Sequence, residues 1–190
     1  MKVVQSMFLC QMSGIPGAGK STLARHICKM TNAVLLDLDV IKSSVLSSFE
    51  NDIDFKFAGK IAYEMSYSLA DSNLEMGNSV VIDSPCSYEI IIEQGTAIAK
   101  KHNAKYKFIE CYLDIENLAE LNRRRATREI LPSQIYNVPI DEDIFQESIR
   151  SMIRPTGYDY LLIDTGQEID KYIDTVMEYL GKPIDYEKRL

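Results

Sequence analysis

Eight consecutive residues, Gly14-Ile15-Pro16-Gly17-Ala18-Gly19-Lys20-Ser21, fit the pattern G-x-x-x-x-G-K-[ST]. A triphosphate packs many negative oxygens into a small volume, and a ring of inward-pointing backbone N–H groups holds such a group without any side-chain specificity. Gly14, Gly17 and Gly19 keep Cβ atoms out of that ring and reach the positive φ values it needs. Lys20 then reads as a point charge for the β- and γ-phosphates, and the Ser21 hydroxyl as a ligand for Mg²⁺. A helix starting here adds about half a positive charge to the same spot. With Thr22, residues 14 to 22 form the candidate nucleotide-binding segment. The competing reading is a plain Gly-rich turn, and a chance match to the pattern is expected on the order of half a percent of the time at ordinary residue frequencies.

Three acids close apolar runs further along. Asp37 and Asp39 end Ala33-Val34-Leu35-Leu36-Asp37-Leu38-Asp39, and Asp83 ends Ser79-Val80-Val81-Ile82-Asp83. Ligands of open α/β sheets bind outside the carboxyl ends of the strands, so all three are expected at the γ-phosphate edge. Asp83 is the candidate Mg²⁺ partner alongside Ser21, through water. The structural alternatives are a helix N-cap for Asp39, a polar strand end for Asp37, and a turn before Ser84-Pro85 for Asp83. Arg123, Arg124, Arg125 and Arg128 form the one basic cluster, with Arg124 and Arg128 expected on a shared helix face and the other two pointing elsewhere. A solvated helix face is the ordinary fate of such a run.

Bringing these groups together requires strands and helices in alternation. Apolar runs predict strands over 6–12, 33–39, 79–84, 106–113 and 158–165. Helical periodicity predicts helices over 21–30, 40–49, 54–76, 89–101, 115–127, 141–152 and 169–180. The stretch 131–139 has turn chemistry and reads as a mobile connection, and the tail from Lys182 reads as peripheral. Five strands alternating with helices call for an α/β parallel sheet with right-handed crossovers and helices on both faces. Phe55, Phe57, Tyr63, Met65 and Tyr67 are expected in the core or along an acceptor cleft, and His26 and His102 at the surface.

Composition bounds the partners. A chain of 190 residues with 46% apolar and 26% charged residues reads as a single folded domain spanning 1–190. Its net charge of −7 repels polyanions as a whole, so a nucleic-acid partner would need a local basic groove. Cys10, Cys28, Cys86 and Cys111 are scattered, without C-x-x-C pairs or a His cluster, which points to a reducing cytoplasm rather than disulfides or zinc. No apolar stretch approaches the length of a membrane span, and no secretory leader is recognisable.

On these residues the chain resembles a P-loop kinase. More narrowly, it is similar to the group holding the polynucleotide 5′-hydroxyl kinases, the zeta-toxin kinases, the chloramphenicol phosphotransferases and many bacterial predicted kinases. Four features carry the likeness: Gly14 to Ser21, Asp37-Leu38-Asp39-Val40-Ile41-Lys42, Ser79 to Asp83, and Leu121-Asn122-Arg123-Arg124-Arg125-Ala126-Thr127-Arg128. They cover residues 5 to 130 in order and spacing.

The resemblance implies a three-layer P-loop NTPase sandwich with strand order 2-3-1-4-5, a lid over about 123–140, and transfer of the ATP γ-phosphoryl group to a hydroxyl. Asp39 matches the carboxylate that takes the acceptor-hydroxyl proton in the polynucleotide kinases. Arg124 and Arg128 match lid arginines that clamp the phosphates, and the resemblance brings Thr165 to Gln167 toward the adenine. Lys42 stands where those kinases carry an arginine that orients phosphate or substrate. That exchange loses a bidentate fork and weighs against a nucleic-acid 5′-end as acceptor.

The reading is therefore an ATP- and Mg²⁺-dependent kinase acting on a small-molecule hydroxyl. Lys20, Asp39, Arg124 and Arg128 carry the catalysis, and Asp37, Asp39 and Lys42 face the acceptor. A nucleic-acid or nucleotide 5′-hydroxyl kinase and a nucleotide-binding regulatory ATPase are the alternatives. A monomer or a homodimer is compatible with all three.

Overall fold

Phe8-Leu9-Cys10-Gln11-Met12-Ser13 sends alternate side chains to opposite sides, and every one of them is buried. In the computed structural model of the chain, which describes residues 6–50, 52–134 and 138–182, this run is the central strand β1 (Phe8–Ser13). It pairs in parallel with β3 (Val80–Asp83) on one side and β4 (Lys105–Tyr112) on the other. The outer strands β2 (Val34–Asp37) and β5 (Leu161–Asp164) complete an all-parallel sheet of order β2-β3-β1-β4-β5. The expected order 2-3-1-4-5 is the one observed.

Parallel strands need long crossovers, and helices supply them on both faces. On one face, α1 (Lys20–Thr31) brings Leu23, Ala24 and Ile27, and α7 (Ile173–Tyr179) brings Ile173, Val176 and Met177, against Phe8, Cys10 and Met12. On the other, α3 (Phe55–Glu75) and α4 (Glu89–Lys101) pack Tyr67, Leu74, Ile91 and Ala99 on Leu9, Ile82 and Phe108. Phe8 and Phe108, almost wholly enclosed, each contribute about 2–3 kcal/mol of transfer free energy by leaving water. Between β2 and α3, α2 (Leu38–Ser48) makes a smaller cluster through Val45, Leu46 and Ala58.

Several element ends differ from the sequence reading. Strand β2 stops at Asp37 because the Asp37 carboxylate accepts from the Asp39 and Val40 N–H groups and starts α2 there. The strand expected over 158–165 is shorter, since the ladder with β4 runs only from Leu161 to Asp164. Tyr158 and Tyr160 instead pack edge-on against Tyr106 and Phe108. After a single 3₁₀ turn at Ile115–Asn117, α5 covers Leu118–Thr127, and α6 covers Glu142–Arg150 behind an Asp141 N-cap. The helix expected over 169–180 is split, with a 3₁₀ turn at Ile169–Lys171 ahead of α7. Of the span expected to form a lid, residues 135–137 lie outside the described residues, as does the tail beyond Lys182. Among the described residues no helix is long and apolar enough to cross a membrane.

Candidate functional site

The Gly-rich turn joins the C-terminal end of β1 to the first turn of α1. Gly14, Gly17 and Gly19 sit at φ 132°, 96° and 82°, a region that side chains rarely enter. Space excludes side chains as well. A Cβ at Gly14 would run into the Cys111 carbonyl, and one at Gly19 would lie 3.2 Å from Thr165 Cβ. The turn is thereby walled by the ends of β4 and β5. Thr165 locks it further, its hydroxyl donating to the Ala18 carbonyl at 2.9 Å.

Lys20 folds back over this turn, donating to the Gly14 carbonyl at 2.7 Å and the Ile15 carbonyl at 3.1 Å. Part of its stem is exposed, but burial of the ammonium lowers its pKa, with Asp83 and Asp39 opposing that shift. Asp83 behaves as the mirror image. Burial raises its pKa, while the Lys20 charge and a hydrogen bond with Ser21 pull it down. A hydroxyl and a carboxylate side by side form a hard oxygen pair suited to Mg²⁺. Among the described residues no cluster of three or more His, Cys, Asp or Glu forms a metal cage. A cation held here would complete its shell with phosphate and water oxygens, as Mg²⁺ does. Thr22 is exposed on the first turn of α1, and Ile15 is buried beneath the loop.

The arginines do not divide as expected. Helix α5 ends at Thr127, and Arg128 leaves it with extended backbone (φ −75°, ψ 150°), so Arg124 and Arg128 do not share a helix face. Arg124 donates to Glu120 Oε1 at 2.7 Å and to the Thr165 carbonyl at 3.0 Å, tying α5 to the loop after β5. Arg128 has a buried Nε with no hydrogen-bond partner among the described residues, and its charge works against protonation of both Lys20 and Arg125. Arg125, read as pointing elsewhere, is only 6% exposed and donates to the carbonyls of Pro16 in the loop and Val138. The signal that would have found it is its i, i+4 spacing from Leu121, the other buried residue of α5. Three cations crowding one loop, one with an orphaned buried donor, fit an anionic ligand. Gln167 is exposed and donates to Asp164, one turn away from the loop wall.

On the other side of the loop, Asp37 takes the helix-cap role considered for its neighbour, and Asp39 lies in the first turn of α2. Asp37 also meets Arg25 at 3.5 Å. The Asp39 carboxylate receives Ser133 Oγ at 3.2 Å on Oδ1 and Gln134 Nε2 at 2.6 Å on Oδ2. Neither partner stood out in the sequence, since both lie in a stretch read as a mobile connection. Lys42 follows one turn later with its ammonium 3.1 Å from the centre of the Phe55 ring, and burial lowers its pKa. Tyr63 hydrogen-bonds Ser84 beyond Asp83.

Phe57 and Met65, expected in the core or the cleft, are 55% and 44% exposed. They line a groove of about 440 Å³ on the outer face of α3 with Ile61 and Leu69. A second hollow of about 300 Å³ lies behind Ile15, against Phe145 and Met152. Neither is lined by Lys20, Asp39 or Asp83. His102 is not a surface residue either: its side chain is 12% exposed and bonded to Asp71.

Residues 9–145 match the family model described as an AAA domain. The chain is similar in fold to a provisionally assigned kinase from Chloroflexus aurantiacus J-10-fl, with TM-score 0.69 and 19% identity over 93% of this chain and 100% of the other. It is also similar to a sugar kinase from Janibacter sp. HTCC2649, with TM-score 0.63 and 13% identity over 93% and 95% of the two chains. A third likeness is to the Mycobacterium tuberculosis APS kinase CysC in complex with AMPPNP and APS, with TM-score 0.58 and 14% identity over 93% and 99%. At these identities the likeness is one of fold, and the fold is that of P-loop kinases.

Proposed function

The chain belongs to the AAA domain family, and from that premise we propose that it is an ATP- and Mg²⁺-dependent kinase that transfers the γ-phosphoryl group to a hydroxyl of a small molecule. One observation carries this reading: Lys20 folds over a turn of three positive-φ glycines, and the charges of Asp83 and Asp39 both act on its ammonium. The phosphate cradle, the metal-side carboxylate and the candidate base therefore share one electrostatic neighbourhood.

Bound ATP and Mg²⁺ supply the transferable group and part of the charge neutralisation around it. The residues of the chain do the rest. The loop amides and Lys20 hold the phosphates, while Ser21 and Asp83 hold the cation. Arg124 and Arg128, in the lid, balance charge spread over the equatorial oxygens. Asp39 takes the proton of the acceptor hydroxyl as the new O–P bond forms and ADP departs with the electrons of the broken bond. Asp37 and Lys42 border the acceptor, and Thr165 and Gln167 border the base of the nucleotide. A positioned base contributes about 10²- to 10⁴-fold in rate, and an arginine on the transferring group about 10³- to 10⁵-fold.

A small acceptor is favoured over a nucleic acid by the net charge of −7 and by the single-point charge of Lys42 where a forked arginine would grip phosphate. Two of the similar folds are described as a sugar kinase and an APS kinase, which supports the same choice. Four unpaired cysteines suit a reducing cytoplasm.

The test is an acceptor screen with labelled ATP across sugars, sugar acids, nucleosides and 5′-hydroxyl oligonucleotides, run on wild type and Asp39→Asn. The expected result is transfer to a small polyol or related hydroxyl compound, reduced about 10²- to 10⁴-fold in Asp39→Asn with ADP affinity retained. Transfer to no compound, or equal transfer by both proteins, overturns the reading.

A further inference from the structure

Asp39 lies half-buried in the first turn of α2, where an unheld carboxylate would sample several rotamers. Here both of its oxygens carry a donor, and both donors come from adjacent residues more than ninety positions away in the chain. We infer that Gln134, assisted by Ser133, is a positioning residue that fixes the Asp39 carboxylate for proton abstraction; this rests on the kinase reading above.

The geometry of the amide is itself determined. Gln134 Oε1 accepts from the Leu131 N–H at 3.3 Å, and the Gln134 N–H donates to the Leu131 carbonyl at 2.8 Å, closing a tight turn. With its oxygen committed to that turn, the amide has only its NH₂ to present to Asp39. Ser133 secures the turn to α2 from the other side. Its N–H donates to Ser43 Oγ at 3.1 Å, its hydroxyl reaches the Asp39 carbonyl at 3.0 Å as well as the carboxylate, and both serines are buried. Among the described residues no other side chain donates to the Asp39 carboxylate, whose charge also favours the charged forms of Lys42 and Lys20.

A carboxylate has about four acceptor positions, so two donors orient it and still leave room for the acceptor hydroxyl. Holding the base in a productive pose acts on the chemical step and not on nucleotide binding. A misplacement of the order of 1 Å costs about 10²-fold in rate.

The experiment compares Gln134→Ala, Gln134→Glu, Gln134→Asn and Ser133→Ala with wild type, using the acceptor found in the screen. It reads kcat, the KM for ATP, ADP affinity by calorimetry and Tm. Gln134→Ala is expected to lower kcat about 10- to 100-fold, with ADP affinity and Tm unchanged. Gln134→Glu, which sets a second carboxylate against Asp39, should be at least as impaired, and Gln134→Asn, one methylene short, should not recover. A wild type that transfers while Gln134→Ala keeps its kcat overturns this inference alone. So does a loss of ADP affinity parallel to the loss of kcat, which would mark a structural role. A wild type that transfers to nothing removes the kinase reading and this inference together. The contact itself is read separately in the side-chain amide resonances of Gln134 in wild type with ADP and Mg²⁺, which should move in Asp39→Asn; unmoved resonances also overturn the inference.

Discussion

Arg125 closes over Gly17: its Cγ lies 2.9 Å from where a Cβ on Gly17 would sit, and its guanidinium reaches the neighbouring Pro16 carbonyl at 3.4 Å. The loop is thus shaped from outside by α5 as much as by its own glycines. Gly17→Ala meets a φ of 96°, the Arg125 stem and close contacts with Leu121, whose Cδ1 and carbonyl oxygen lie 3.1 and 3.3 Å from the added Cβ, and is expected to cost about 1–3 kcal/mol of stability and at least tenfold in ADP affinity. Shortening the stem in a Gly17→Ala/Arg125→Ala double variant removes the collision with Arg125 but neither the Leu121 contacts nor the backbone strain. It should therefore recover only part of the lost stability beyond what Arg125→Ala alone costs. Urea denaturation of the four proteins of this cycle measures the coupling, and strict additivity would refute it.

Lys20 poses a conflict between stability and ligand binding. Among the described residues its ammonium donates only to neutral carbonyls of the loop, and burial disfavours its charge. Lys20→Met keeps the length of the side chain and removes the desolvated charge. The ligand-free variant sheds that desolvation cost but also loses the charge that offsets the buried Asp83, so it should melt within a few degrees of wild type, at about 2–4 °C for each kcal/mol. ADP affinity should fall at least tenfold, which is about 1.4 kcal/mol. A variant that melts well below wild type would show that the ammonium is a structural prop.

The fold was legible because its signals are local. The apolar run from Phe8 to Met12, the glycines of residues 14 to 19 and the helical spacing of Leu23 and Ile27 each determine a neighbouring piece of backbone, and together with the later strand and helix runs they call for a parallel sheet. The candidate site was legible only where its residues belong to such pieces, as Lys20, Ser21 and Asp83 do. The capping role fell to Asp37 and not, as the sequence suggested, to Asp39, because both close one apolar run and the strand ends at the first of them. The hydrogen bonds that the Asp37 carboxylate accepts from the Asp39 and Val40 N–H groups decide which of them caps the helix. Gln134 and Arg125 were missed for a different reason. Their partners, Asp39 and Pro16, are 95 and 109 positions distant; nothing around Gln134 encodes a contact of that range, and around Arg125 only its spacing from Leu121 marks it as buried.

The cysteines are expected to be inert. Burial pushes the Cys28, Cys86 and Cys111 thiols up to about 12, and Cys10 higher still. A rise of about three units leaves roughly a thousandfold less thiolate at pH 8 than an unhindered thiol would have. Native protein at pH 8 should therefore react with iodoacetamide far more slowly than the denatured chain, which should titrate all four thiols. Rapid labelling of Cys86, which lies three residues beyond Asp83, would contradict the enclosed loop that follows β3.

Asp71 ties the two helices of one sheet face together. It belongs to α3, accepts from Lys101 Nζ at 2.7 and 2.8 Å, and meets Nε2 of His102, at the C-terminal cap of α4, at 2.7 Å. The Lys101 hydrogen bond, followed by that of His102, lowers the Asp71 pKa below its ordinary 3.8. A group whose folded pKa is depressed contributes stability above its unfolded pKa and loses it as pH falls through the folded one. The pair is partly exposed and screened, so Asp71→Asn should cost about 0.5 kcal/mol at pH 7. That difference should shrink below pH 4 and in high salt. Urea denaturation of both proteins at pH 7 and pH 3 measures it, and a deficit that persists undiminished at pH 3 would mean that Asp71 acts by packing rather than by charge.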